Sequence, residues 1–117
     1  MGDNVYYIKS LKEFEEILKK HKCVILKASA DWCGPCKVIE PLFEELISML
    51  ENDIGIVKIN IDHAVEIKRK FKITKIPYMA SFFNREVTDI INTSNKEMIR
   101  NFINKTIDKY DLFKKVK

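Results

Sequence analysis

The sequence is poor in the residues that mark specialised protein classes: its 117 residues include only 3 glycines, 3 prolines, 3 cysteines and 1 tryptophan. The scarcity of glycine and proline argues against a fibrous or low-complexity chain. A small, odd number of cysteines argues against a secreted scaffold held by disulfides. No apolar run approaches the length of about 20 residues that crosses a bilayer as a helix, and the first residues lack the apolar stretch of a secretory signal. We therefore expect a cytoplasmic protein that contacts no membrane.

The charged residues show no strong excess of one sign over most of the chain. Lys and Arg (21 residues) alternate with Asp and Glu (17 residues), which gives a net charge of +4. We interpret this pattern as a solvated mixed surface, with Lys114-Lys115-Val116-Lys117 as its only local excess, and we predict no nucleic-acid partner. Length and composition predict one monomeric domain over residues 1–117, with a core from about residue 5 to 108 and a short basic tail at 109–117.

Hydrophobic periodicity predicts nine secondary-structure elements in the order β-α-β-α-β-α-β-β-α. Two capping boxes, Ser10 with Glu13 and Ser94 with Glu97, mark the starts of the first and last helices. Helical crossovers require parallel strands, and a predicted turn at Asn84-Arg85-Glu86 joins the last two strands as an antiparallel pair. The strands are expected at 5–8, 23–26, 54–61, 78–83 and 87–91, and the middle helices at 38–50 and 64–71. This order predicts an α/β fold with one mixed sheet between helices.

Cys33 and Cys36 flank Gly34-Pro35 in the turn between the second strand and the second helix. A closed zinc site needs four ligands, and the chain offers no second close pair, so we expect no metal. A disulfide across so short a loop would restrain little of the unfolded chain. A thiolate at a helix N-terminus is stabilised by free N–H groups and the helix dipole, and Pro35 suits the first helical turn. The positions predict Cys33, at the exposed lip of the turn, as the nucleophile and Cys36, shielded one turn into the helix, as the resolving thiol.

The six residues from Trp32 to Lys37, WCGPCK, resemble the active-site sequence of the thioredoxin family. Pro41 lies where that family kinks its second helix, and Ile76-Pro77 resembles its cis-proline loop. The resemblance covers residues 5 to about 108. It implies a thioredoxin fold, with a five-stranded mixed sheet flanked by four helices, and a redox-active Cys33–Cys36 disulfide that reduces disulfides in substrate proteins. It also implies no bound cofactor, since electrons would come from NADPH through a thioredoxin reductase.

Lys27 is the main departure from the family, which usually has a buried Asp six residues before the first cysteine. One interpretation is that Lys27, on a buried strand, extends its ammonium to the surface and has no chemical role. The other is that it pairs with Glu40, which lies four residues after Cys36 on the same helix face. Lys27, Glu40 and Lys58 would then tune Cys36, with Lys27 favouring its thiolate. Lys58 is expected to have lost the partner that this Asp provides in the family.

The resemblance further implies a substrate-binding rim around Cys33 formed by Trp32, Ile76, Pro77, Tyr78 and Asn92. Tyr78 stands where the family commonly has Thr, and Asn92 where it commonly has Gly. A bulkier rim predicts a narrower choice of substrates, although Tyr78 is equally compatible with core packing. Trp32 is expected both to pack and to bind.

Three other candidate side chains are expected to have no catalytic role. Cys23 is expected to be a small buried hydrophobe. His21 and His63 are expected on exposed loops.

Two alternative functions stay open beside protein disulfide reduction. A thiol oxidase or isomerase would need a more oxidising dithiol, whereas Gly34-Pro35 resembles the reducing members of the family. A thioredoxin-like subunit of a larger assembly would use the fold for binding alone and would have no chemical need for both Cys33 and Cys36. The sequence therefore favours a reductase that takes part in electron transport and cell redox homeostasis.

Overall fold

The computed structural model describes residues 4–115, and these form one mixed five-stranded sheet with four helices. The strands are β1 (Val5–Tyr7), β2 (Cys23–Ser29), β3 (Gly55–Asn60), β4 (Tyr78–Phe83) and β5 (Glu86–Ile91). The helices are α1 (Leu11–Lys20), α2 (Gly34–Ile47), α3 (Val65–Lys70) and α4 (Lys96–Lys115). The strand order is β1-β3-β2-β4-β5; β1, β3 and β2 run parallel, and β4 and β5 are antiparallel to their neighbours. The predicted α/β fold is confirmed.

The central strand β2 is buried along almost its whole length, as its continuous apolar run predicts. Helices cover both faces of the sheet. Phe14 and Ile17 of α1 and Ile67 of α3 belong to one apolar cluster, and residues of α2 and α4 belong to the other. The carboxyl end of β2 therefore leads between the two helical layers into the turn that carries the cysteines. No helix among residues 4–115 is both long and apolar enough to cross a bilayer.

The two predicted capping boxes have different outcomes. Ser10 and Glu13 form both reciprocal hydrogen bonds at the start of α1. The box at Ser94 and Glu97 is wrong, because the Asn95 side chain accepts the Met98 N–H (2.9 Å) and α4 begins one residue later. Asn is as good an N-cap as Ser, so the sequence alone does not separate the two positions.

The hairpin turn between β4 and β5 is one residue shorter than predicted. Asn84 and Arg85 alone form it, with φ angles of 51° and 73°, and Glu86 already pairs with Phe83. Two-residue turns with positive φ at both positions match the right-handed twist of the flanking strands. The twist of the sheet therefore favours the tighter turn, even without glycine.

The basic tail predicted at 109–117 is helical as far as Lys115. Tyr110 is buried in the cluster under α2 and α4, its hydroxyl donates to Asp53, and its ring stacks on Phe113. These contacts extend α4 beyond the predicted end of the core because they bury aromatic surface. Residues 116 and 117 lie outside the described part of the chain.

Candidate active site

Cys33 is the N-cap residue of α2, immediately after the loop that follows β2. Its Sγ accepts the backbone N–H of Cys36 (3.2 Å), so the first cysteine sulfur lies at the positive end of the helix. Gly34 and Pro35 form the first two helical positions, where the missing N–H of proline leaves no hydrogen bond unmade. The two cysteines are joined in a disulfide, with their Cα atoms 5.3 Å apart.

Both cysteines are largely shielded from solvent in this disulfide form. Cys33 is 4% exposed and Cys36 is 3% exposed. The expected contrast between an exposed and a buried sulfur is therefore absent here. Cys33 differs from Cys36 in its position at the cap, since Cys36 lies inside the first turn of α2.

Trp32 forms an exposed wall beside the disulfide. Its side chain is 67% exposed, and its indole Nε1–H donates to Asp62 Oδ2 (2.9 Å). The Asp62 N–H in turn donates to Asn60 Oδ1 (2.8 Å), and Asn60 Nδ2 donates to Asp31 Oδ1 (3.3 Å). This chain of polar contacts fixes an aromatic face in solvent, which is unusual for a residue that only packs.

A groove of about 520 Å³ begins at Trp32 and contains four of the five predicted rim residues. The Ile76–Pro77 bond is cis, as predicted. Asn92 Nδ2 donates to the Lys75 carbonyl (3.2 Å), which ties the end of β5 to the segment before the proline. The groove is lined by Trp32, Thr74, Lys75, Ile76, Pro77, Asn92, Thr93 and Ser94.

Tyr78, the fifth predicted rim residue, lies in the core and not in the groove. It begins β4 opposite Ala28, and its side chain belongs to the apolar cluster under α1 and α3. Its hydroxyl has no hydrogen-bond partner among residues 4–115, and burial raises its pKa. The core-packing interpretation of Tyr78 is therefore correct, because its sheet register turns the ring inward.

Lys27 pairs with Glu40, as the second interpretation of the sequence predicted. The Lys27 side chain is only 4% exposed, so it does not extend to the surface. Its ammonium forms an ion pair with Glu40 Oε1 and lies 5.3 Å from the centre of the Phe43 ring. An aromatic face and a carboxylate together compensate the burial of this cation.

Lys58 has two partners, contrary to the expectation that it had lost its own. Its ammonium is 3.2 Å from Glu40 Oε2 and forms a second ion pair with Glu44. Glu40 and Glu44 are four residues apart on α2, so both face the same strands. Lys27, Lys58, Glu40 and Glu44 therefore form a four-residue network with balanced charge.

The network sets the protonation of its members. Desolvation raises the pKa of Glu40, but the hydrogen bond from Lys27 and the positive charges of Lys27 and Lys58 outweigh it and lower the pKa to about 2. Desolvation lowers the pKa of Lys58, and the hydrogen bond to Glu44 together with Glu40 raises it overall. Glu40 is accordingly ionised at neutral pH.

The remaining candidate residues lie away from the disulfide. Cys23 is fully buried, and desolvation, assisted by Asp53, raises its pKa to about 12, which confirms its place as a core residue. His21 is buried, so the expectation that it is exposed is wrong. Its Nδ1 donates to the Asp53 carbonyl (2.8 Å), and its Nε2 lies 2.8 Å from the Tyr6 hydroxyl. Within residues 4–115 no group of His, Cys, Asp and Glu is placed to hold a metal ion.

A cluster of cations beside the groove was not recognised in the sequence. The segment 68–75, KRKFKITK, contains five cations and no acid, so the C-terminal lysines are not the only local excess of charge. Lys68, Arg69, Lys72 and Lys75 are exposed, and we call these four residues the basic ridge. This excess of charge is visible in the sequence, since five of the eight residues are cations.

Comparison with known proteins identifies the family. The sequence model described as thioredoxin matches residues 5–105. A thioredoxin of Rickettsia bellii is 35% identical over 94 residues, which cover 80% of this chain and 90% of the relative. A bifunctional thioredoxin reductase/thioredoxin of Mycobacterium leprae is 36% identical over 69 residues, which cover 59% of this chain and 15% of that protein. The crystal structure of reduced Schistosoma mansoni thioredoxin pre-protein superposes with a TM-score of 0.80 at 30% identity, covering 90% of this chain and 100% of the other.

These matches agree with the sheet order and with a disulfide at the N-terminus of α2, and they do not favour an oxidase, an isomerase or a purely structural subunit. The chain therefore belongs to the thioredoxin family and is a protein disulfide reductase.

Proposed function

We propose that Cys33 is the nucleophile of this reductase and Cys36 its resolving thiol. In the reduced protein, the Cys33 thiolate attacks one sulfur of a substrate disulfide; a Cys33–substrate bond forms, the substrate S–S bond breaks, and the first substrate thiolate leaves. The Cys36 thiolate then attacks Cys33 Sγ and releases the second substrate thiolate. Two electrons pass to the substrate, and the Cys33–Cys36 disulfide remains. The position of Cys33 Sγ at the cap of α2, bonded to the Cys36 N–H, carries this assignment.

The groove beside the disulfide is the proposed substrate-binding site. Trp32 offers an exposed aromatic face, and Ile76, Pro77 and Asn92 line the same groove. An extended peptide laid in this groove would bring its disulfide to Cys33 and could pair with backbone groups of the loop before β4. The Asn92–Lys75 hydrogen bond holds that loop in position. Gly34 and Pro35 complete the site by shaping the first turn of α2.

The proposed electron donor is NADPH, acting through a separate thioredoxin reductase, and the proposed acceptors are disulfide-containing proteins of the cytoplasm. The name of the Mycobacterium leprae relative joins a reductase and a thioredoxin in one chain, which supports such a pairing. This chain would bind no cofactor of its own and would act as a monomer.

A coupled assay tests this proposal. With a bacterial thioredoxin reductase, NADPH and insulin, the protein should support continuous NADPH oxidation and precipitation of the insulin B chain. Cys33→Ser should abolish both, because it removes the nucleophile. If the protein leaves NADPH unused yet introduces disulfides into reduced, unfolded ribonuclease, it works as an oxidase and the proposal is wrong.

We further propose that Lys27, held by Glu40, which also pairs with Lys58, tunes Cys36 from beneath α2. Glu40, the partner of Lys27, lies one helical turn after Cys36 on α2, and a buried cation on that side of the helix would favour the Cys36 thiolate and thereby the reduced protein, although Glu40 and Glu44 balance much of the charge. Lys27→Asp should therefore make the reduction potential more negative, as measured by equilibration with glutathione. Lys22, an exposed cation before β2, provides the control Lys22→Asp. Equal potentials for Lys27→Asp and the parent protein would contradict this role.

A further inference from the structure

We propose that the basic ridge, formed by Lys68, Arg69, Lys72 and Lys75, docks an acidic protein surface beside the substrate disulfide. The inference rests on the proposed function and narrows its substrates: proteins that carry Asp or Glu near the reducible disulfide are preferred. The contact is non-covalent and precedes the attack by Cys33.

The cations of the basic ridge have no carboxylate partner among residues 4–115. The ion pairs of this part of the chain involve other cations, among them Lys27, Lys58 and Lys105. Glu66, the acid of α3, accepts the Leu11 N–H (3.1 Å) at the start of α1. The ridge therefore presents positive charge to solvent that a partner can neutralise.

The basic ridge is continuous with the groove at the disulfide. Lys68, Arg69 and Lys72 line a shallow apolar pocket of about 500 Å³, together with Val65, Ile73 and Thr74. Thr74 also lines the groove of Trp32 and Pro77, where Lys75 is its neighbour. A partner whose disulfide reaches Cys33 would thus place adjacent side chains over the ridge. The apolar floor between the cations adds a surface that a protein side chain can bury.

Lys72 occupies a backbone position that is costly for lysine. Its φ angle is 52°, and it follows α3 as the left-handed residue of a Schellman motif: the Lys72 N–H donates to the Arg69 carbonyl (3.2 Å), and the Ile73 N–H donates to the Lys68 carbonyl (3.0 Å). Glycine is the usual residue there because it bears no Cβ. Cations in the last turn of a helix stabilise its dipole, which would account for Lys68 and Arg69. It does not account for Lys72 and Lys75, which lie beyond the helix.

An acidic protein fits the basic ridge better than a nucleic acid does. Proteins that bind single strands present aromatic rings on which bases stack. The one aromatic residue of the segment is Phe71, which packs edge-on against Phe14 and Phe82 at the core. The ridge offers only cations and an apolar pocket, and it is continuous through Thr74 with the groove of Trp32 and Pro77.

The test compares three peptide disulfides in the coupled assay, identical except for four flanking residues that are all Glu, all Gln or all Lys. The Glu peptide should have a kcat/KM about tenfold above that of the Gln peptide at about 10 mM salt, and the Lys peptide should be the slowest. The Glu preference should shrink to near unity at about 300 mM salt, where the charges are screened. Equal kcat/KM values at low salt would overturn the inference.

Variants locate the preference on the molecule. Lys68→Glu/Arg69→Glu/Lys72→Glu should remove or reverse the Glu preference; Lys75 is left unchanged because it lines the groove itself. Lys70→Glu is the matched control, since Lys70 belongs to the same helix but lines a different groove, between α1 and the β4–β5 hairpin. Lys72→Gly should lower the preference without lowering the melting temperature, which separates docking from folding. If Lys70→Glu removes the preference as fully as the triple variant does, the ridge is not the docking surface.

Failure of the docking surface can be distinguished from failure of the reductase proposal. If the parent protein reduces all three peptides equally, the docking surface is wrong and the reductase proposal stands; if it reduces none of them, the proposed function has failed as well. A single-stranded oligonucleotide of about 20 bases is the competing probe. If it binds the parent protein but not the triple variant at low salt, and the peptides show no charge preference, the ridge binds nucleic acid and the inference is overturned.

Discussion

A Cys36→Ser protein is expected to trap its substrates as stable mixed disulfides on Cys33. The first attack needs only Cys33, whereas release needs the Cys36 sulfur, which lies one helical turn away and is pre-positioned by α2. Well-oriented intramolecular reactions reach effective concentrations of about 10⁵–10⁸ M, so an external thiol does not replace Cys36, and turnover should fall by about 10³-fold. Non-reducing gels of the variant after incubation with insulin, followed by peptide mass spectrometry, measure the trapped complex.

Two control variants define the roles. Cys33→Ser should trap nothing. Cys23→Ser should turn over substrate as the parent protein does, because Cys23 is fully buried in the apolar cluster that contains residues of α4, away from Cys33 and Cys36. If the Cys33→Ser protein accumulates covalent complexes through Cys36 while Cys36→Ser does not, the two roles are reversed.

Replacement of Glu40 by Gln is expected to destabilise the fold by about 2 kcal/mol. Glu40 neutralises the buried Lys27 and also contacts Lys58, so its loss leaves a buried cation without a carboxylate. Breaking a buried ion pair costs about 3–5 kcal/mol. We expect the smaller loss of about 2 kcal/mol because the Glu40 side chain is 39% exposed and partly screened by water. Urea denaturation measures the free energy of unfolding. Glu45→Gln, an exposed acid on the same helix, should change it by less than about 0.5 kcal/mol.

The loss of stability caused by Glu40→Gln should become smaller as the pH falls. The folded-state pKa of Glu40 lies near 2, below its ordinary value of 4.5, so the stabilisation is fully present above about pH 5 and is lost as the pH falls toward 2. The stabilities of the parent protein and Glu40→Gln should therefore converge in acid. A difference that is the same at pH 3 and pH 7, or a Glu40→Gln effect no larger than that of Glu45→Gln, would show that the Lys27 pair does not stabilise the fold.

The sequence was sufficient for those parts of the molecule that depend on local pattern. Hydrophobic periodicity identifies every strand and helix because each element buries one face or two. The sequence also locates the cysteine pair at a helix start, because Pro35 and the apolar run before the cysteines are local signals. The cis bond at Ile76–Pro77 came from the family resemblance, since periodicity alone does not distinguish cis from trans.

Other features depend on register and on the approach of distant segments. Tyr78 faces the core because it lies opposite Ala28, and that pairing is not local. The sequence does not distinguish Asn95 from Ser94 as the cap of α4, since both residue types are suitable. The partner of Lys58 was recognisable in principle, because Glu44 follows Glu40 by one helical turn. The sequence shows the cations of the basic ridge, but the connection of the ridge to the groove, through Thr74, exists only in three dimensions.

The reduction potential of the Cys33–Cys36 couple tests most directly whether this protein is a reductase. Equilibration with a glutathione redox buffer at pH 7, with the dithiol fraction measured by alkylation and mass spectrometry, gives its value. We predict a potential close to about −270 mV, as is typical of thioredoxins, with Lys27 shifting it to a somewhat less negative value. A potential above about −200 mV, in the range of isomerases and oxidases, would contradict the assignment as a protein disulfide reductase.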